Sequence, residues 1–174
     1  LLDAILAQTY PLSEMEVLIA DGISEDGTRE EIAAFQAAYP DLDITVIDNP
    51  QRIIPAALNR AIGAARGEII VRLDAHAAPA PDYVARCVDA LDTKLGDNVG
   101  GVWDIRPGAA GWAAASIAAA AGHPLGVGDA FYRHATQAQI VDTVPFGAFR
   151  RELTEKIGLF DETLLANEDY EFNA

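Results

Sequence analysis

Apolar residues follow two alternating rhythms along this chain. Short runs rich in Val, Ile and Leu cover residues 16–20, 43–47 and 68–73, with weaker ones at 99–105 and 140–144, and each reads as a β-strand. Between the first three runs, residues 28–38 and 54–65 carry apolar positions three and four apart, which is the spacing of a helix face. Residues 82–94 do the same: Tyr83, Val84, Cys87, Val88, Leu91 and Leu95 form a stripe suited to lie on a sheet, with Pro81 just ahead of it. Thr28 followed by Glu31 fits a capping box, and Gly67 is placed to stop the helix before it. Residues 1–7 read as a helix interior and 167–174 as a helix beginning, so both ends read as cuts. The expectation is one domain, residues 1–174, belonging to a longer protein.

Strand–helix alternation at these lengths predicts an α/β domain with a mainly parallel central sheet flanked by helices. Open parallel sheets bind ligands at the carboxyl ends of their strands, so the residues after each strand carry the functional signal. Asp21 and Gly22 follow the first strand, and Asp74-Ala75-His76 follows the third. Asp21 reads equally well as a turn carboxylate that caps local N–H groups. Asp74 and His76, two apart at a strand end, can turn inward together onto one cation, or form a plain polar turn before Pro79 and Pro81. Glu168-Asp169, opening the last helix, either complements the helix dipole or borders a cleft beside Gly147, which permits close backbone approach.

Charge narrows the partners. Twelve Lys and Arg stand against 27 Asp and Glu, a net charge of −15. Such a chain lacks the cationic excess that holds nucleic acid, and the same charge disfavours unaided docking on an anionic membrane. A cation must then come from elsewhere if a diphosphate is to be stabilised as it leaves. The single cysteine, Cys87, excludes a disulfide framework and lies on a helix stripe as inert core. Residues 109–122 form the most apolar stretch, too short to span a bilayer and suited to a buried or interfacial helix. Trp103 and Trp112 read as packing anchors, His123 and His134 as loop residues, and no Walker or Rossmann glycine motif occurs.

The motifs in order add a resemblance. Residues 7–11 (AQTYP), 17–28 (VLIADGISEDGT), 57–76 (ALNRAIGAARGEIIVRLDAH) and 146–162 (FGAFRRELTEKIGLFDE), followed by Asn167-Glu168-Asp169, resemble the inverting family 2 glycosyltransferases of GT-A fold. The Asp-Ala-His variant, with LGVGDAFYR at 125–133 and VDTVPFG at 141–147, resembles the ExoA-like branch of succinoglycan biosynthesis.

The resemblance implies transfer of a sugar from a nucleotide-diphosphate sugar, a UDP-sugar by expectation, to a hydroxyl of a saccharide or lipid-linked saccharide. It implies that Asp21 contacts the base or ribose of the nucleotide with Gly22 beside it, that Arg52 and Asn59 assist on the donor side, and that Asp74 and His76 hold a divalent metal and the diphosphate; the softer imidazole of His76 predicts Mn²⁺ in preference to Mg²⁺. Asp169 would be the general base, with Glu168 supporting it or binding acceptor. The family's opening strand would precede Leu1, and membrane contact would come only through missing regions or the acceptor lipid, at the cytoplasmic face. A nucleotidyltransferase of related topology and a non-catalytic sugar-binding domain are the alternatives.

Overall fold

The computed structural model describes residues 1–174 apart from 124, 126–129, 134 and 165. Strands β1 (Glu16–Asp21) and β2 (Asp43–Asp48) pair in parallel, in register from Glu16 opposite Asp43 to Asp21 opposite Asp48. A parallel pair needs a crossover, and helix α2 (Thr28–Ala38) supplies it. Helix α3 (Ile54–Ala64) leads to β3 (Ile69–Val71), and α4 (Tyr83–Asp92) to β4 (Asn98–Val99). Both β3 and β4 pair antiparallel with β5 (Ala148–Arg150), which lies between them. Helices α1 (Leu2–Leu6), α5 (Trp112–Ala121), α6 (Glu152–Ile157) and α7 (Glu168–Asn173) complete the elements that matter below.

The α/β class and flanking helices match the sequence reading, while among the described residues parallel pairing is confined to β1 and β2. The Glu16 carboxylate accepts N–H groups from Arg66 (2.6 Å) and Gly67 (2.9 Å), so β1 and β3 start side by side. Beyond that tie they form opposite walls of an apolar cavity of about 580 Å³, lined by Val17, Ile19, Leu58, Ile70 and Leu73 among others. Both strands therefore deliver their carboxyl ends to the same edge of the molecule.

Strand β3 joins the core together through its alternation. Ile69 and Val71 pack with Cys87, Leu91 and Ala148 beside α4, and Leu73 joins Ile5, Ile32, Leu42 and Ile44 under α2. Ile70, on the opposite face, meets Ile62, Phe149, Phe160 and Phe172. Arg72 shares that face of the strand by period-two geometry.

Several local expectations are corrected. The run 140–144 forms no strand among the described residues: Ile140 is exposed, and Asp142, Thr143 and Pro145 break the pattern. The run 99–105 pairs only through Val99. The strand actually inserted between β3 and β4, β5, has three residues, too few to display a rhythm. Gly27, with left-handed φ of 88°, occupies the N-cap of α2; Thr28 is already helical, and its N–H and hydroxyl both bond Asp26, so no capping box forms. Helix α3 ends through an extended Ala65, and Gly67 follows it without a left-handed turn. No residue of α5 is buried, and Trp112 is 84% exposed, so among the described residues it is no packing anchor. Trp103 does pack, against Phe146 and Tyr132. No helix among the described residues is long and apolar enough to cross a membrane. His134 and part of 125–133 lie outside the described residues.

Candidate active site

Asp21 ends β1, buried at 6% exposure. Its carboxylate accepts the Ser24 hydroxyl (2.5 Å), the Ser24 N–H (3.0 Å) and Arg29 Nε (2.6 Å). Those bonds, the Ser24 hydroxyl foremost, hold its carboxyl down at about 2, against the opposing push of burial. Arg29 also donates to Asp48 (2.6 Å), clasping the carboxyl ends of both parallel strands. Arg52, on the loop after β2, has φ of 57°, and a methyl group placed on Gly22 would lie 3.6 Å from its Cγ. Asp21, Gly22 and Arg52 are thus assembled in one corner. Asn59 is not part of it: its amide bonds Phe160 O (2.8 Å), Phe160 N–H (3.0 Å) and Glu162 (3.0 Å), clamping the turn after α6.

The second corner gathers around the end of β3. Arg72, its side chain 8% exposed, donates Nε to Asp74 Oδ1 (3.3 Å) and Nη2 to Glu168 Oε1 (3.0 Å). Its backbone N–H goes to Gly147 O (2.9 Å), which continues the β3–β5 ladder by one residue. Gly147 is packed so closely against the Asn98 amide that any side chain would collide with it. The expected close approach at this glycine is made by a side chain of the protein itself. Glu168 is buried while Asp169, next to it, is half-exposed. Two adjacent carboxylates thereby differ in setting, Glu168 buried and paired with arginine, Asp169 partly open to solvent.

Asp74 and His76 share a turn closed by Ala77 N–H to Asp74 O (2.8 Å), with His76 exposed and its ring edge-on to Phe146 at 6.2 Å. Among the described residues, no three of His, Cys, Asp and Glu converge on a metal position. One carboxylate and one imidazole leave most of a cation's coordination sphere open. That donor set fits an ion carried in on diphosphate oxygens and does not fit a caged, resident ion. Cys87 is buried, its thiol pushed up to about 11 by burial, and is inert as expected.

Sequence reasoning missed Arg72 and Arg29. Arg72 carried a signal, a lone cation inside an apolar strand run, whose alternation places it on the same face as Ile70. The partner that gives it meaning lies 96 residues away.

Similarity to known proteins bears on the family and the fold. The family described as Glycosyl transferase family 2 matches residues 1–158. The succinoglycan biosynthesis protein ExoA of Rhizobium meliloti is 34% identical over 160 residues, 90% of this chain and 47% of that protein. The dolichyl N-acetyl-alpha-D-glucosaminyl phosphate 3-beta-D-2,3-diacetamido-2,3-dideoxy-beta-D-glucuronosyltransferase of Methanococcus voltae is 29% identical over 170 residues, 95% of this chain and 53% of that one. Among solved structures, the mannosyltransferase PcManGT from Pyrobaculum calidifontis, in complex with GDP-Man and Mn²⁺, is similar with a TM-score of 0.71 and 28% identity, over 99% of this chain and 45% of that chain. The chain spans about half the length of these relatives. With a GT-A type α/β fold and a family match over residues 1–158, this chain belongs to glycosyl transferase family 2.

Proposed function

We propose that this chain forms the donor-binding and base-carrying part of an inverting glycosyltransferase. It moves a sugar from a nucleotide diphosphate to a hydroxyl of a saccharide or lipid-linked saccharide during cell-surface polysaccharide synthesis. One observation supports the reading: Asp21, Gly22 and Arg52 come together at the end of β1, and Arg72 at the end of β3 joins Asp74, in the turn that carries His76, to Glu168, the neighbour of Asp169. The similarity to ExoA supports an exopolysaccharide product, and the dolichyl-phosphate-sugar acceptor named for the Methanococcus enzyme supports a lipid-linked acceptor. The acceptor lipid would keep the protein at the cytoplasmic face of the membrane.

Asp21, fixed in its ionised form, accepts hydrogen bonds from the base or ribose, and Arg52 over Gly22 lies beside the phosphates. Asp74 and His76 would hold a divalent metal, Mn²⁺ ahead of Mg²⁺ because imidazole is softer than carboxylate. When bound, that metal offsets the charge developing on the departing diphosphate. Asp169 takes the proton from the acceptor hydroxyl, a weak nucleophile until it is deprotonated; a positioned base contributes about 10²–10⁴-fold. Attack opposite the departing diphosphate inverts the anomeric carbon.

The test is calorimetric titration of UDP and GDP into the protein, with and without Mn²⁺, in wild type and Asp21→Ala. Binding that requires the metal and weakens in the variant supports the donor corner. Equal affinity in every arm rejects it.

A further inference from the structure

Helix α7 has six residues, no side-chain cap and a left-handed Asn167 at its N-cap, so it lacks the length to hold itself in place. Its orientation comes from tertiary ties. Two hold its distal half: Phe172 stacks on Phe160 (4.2 Å between ring centroids) and leans on Phe149 (5.0 Å), and Asn173 accepts the Asn98 amide (2.8 Å). Its first turn, where Asp169 sits, is tied to the sheet by the Arg72–Glu168 pair. Both side chains of that pair are 8% exposed, so the contact is sheltered from water and ions.

We infer that Arg72 is the positioning residue of the acceptor base: through Glu168 it fixes the first turn of α7 and so aims Asp169. This rests on the reading of Asp169 as the base. Arginine suits the place because its planar fork presents Nε and Nη2 to two carboxylates at once, Asp74 on the strand side and Glu168 on the helix side. A lysine offers one ammonium and cannot span both in fixed geometry. Glu168 accordingly has no proton-transfer task; its role is to be gripped. The two carboxylates opening α7 divide the work, one held inward so that its neighbour is aimed outward. The same guanidinium joins the turn carrying Asp74 to the helix carrying Asp169, so the donor and acceptor halves share one rigid link.

A merely structural ion pair would affect folding and leave turnover per folded molecule intact, and the experiment separates the two. Four variants are compared with wild type: Arg72→Lys, Glu168→Gln, the double Arg72→Lys/Glu168→Gln, and the apolar swap Arg72→Met/Glu168→Leu. Each is read for thermal midpoint, Mn²⁺-dependent UDP binding, and kcat and donor KM with a panel of nucleotide sugars. The swap is included because well-packed apolar replacements of buried ion pairs fold. A base displaced by an ångström costs up to about 10²-fold, so Glu168→Gln is expected to lower kcat about 10- to 100-fold with UDP binding unchanged. Arg72→Lys falls comparably, and the double variant is no slower than the worse single one, because both break the same tie. The apolar swap restores the thermal midpoint and leaves kcat low. Normal kcat in Glu168→Gln or in the apolar swap overturns the inference while leaving the proposed function standing. A wild type that, in the whole enzyme of which this chain forms part, turns over no nucleotide sugar overturns both.

Discussion

The two corners of the site are built by opposite means. The Asp21 corner is local: Ser24 and Arg29 lie three and eight residues from the carboxylate they hold, and the parallel register of β1 and β2 sets Asp48 beside it. The Asp169 corner is assembled from afar, with Arg72 and Glu168 96 residues apart, Asn98 and Asn173 75 apart, and a three-residue strand wedged between β3 and β4. Local construction gives a carboxylate held ionised by its chain neighbours. Long-range construction ties a short helix to the sheet at a few points, so its geometry depends on each tie.

The largest effect that tests this contrast is on stability. Removing Arg72 leaves Glu168 buried without a cation, and breaking such a pair costs about 3–5 kcal/mol. Arg72→Ala should therefore lower the urea midpoint far more than Arg66→Ala, whose side chain is 71% exposed in its pairs with Glu16 and Asp43. Exposed pairs are worth about 1 kcal/mol or less. Equal losses in the two variants would place the two ion-pair groups on the same footing and remove the contrast.

A smaller effect is expected at the local corner, and it depends on pH. Asp21 titrates lower in the folded chain than unfolded, near about 2, so its contribution is fully present above roughly pH 4 and disappears as pH falls through about 2. The depression corresponds to about 2 kcal/mol. Asp21→Asn should be less stable than wild type by about that amount at pH 7, with the two curves converging as pH approaches 2. Denaturant melts at both pH values decide it; a constant gap would assign the stabilisation to packing instead of charge.

The difference between the corners also governs what could be read from the sequence. β1 and β2 were legible to within a residue because continuous apolar runs bounded by Asp and Gly announce buried strands. Asp21, Asp74 and His76 stood out because strand ends are where polar residues in a parallel sheet acquire a purpose. β5 was invisible: Ala148, Phe149 and Arg150 show no period, and their place depends on two partners distant in sequence. Asn59 illustrates the same limit. It falls inside a family-like motif, yet its amide is committed to a loop 101 residues onward. The inward turn of Glu168 was likewise hidden, since adjacent carboxylates look alike until a buried arginine selects one.

The smallest expected effect concerns the turn after β3, in the second corner. With imidazole replaced by an all-oxygen pair, His76→Asp should move metal preference from Mn²⁺ toward Mg²⁺ by several-fold in activation constant, with kcat at saturating metal little changed. Activation titrations with both ions check it; an unaltered Mn²⁺ to Mg²⁺ ratio would make His76 part of the turn alone.

The central claim is that binding and proton removal reside in separate corners, and steady-state kinetics of Asp21→Ala and Asp169→Asn in one assay test it most directly. Asp21→Ala should raise donor KM with a modest change in kcat. Asp169→Asn should lower kcat by about 10²-fold or more with donor KM near wild type, the signature of a group that acts only in the transition state. Near-normal kcat in Asp169→Asn, or a rise in donor KM matching that of Asp21→Ala, would contradict the account.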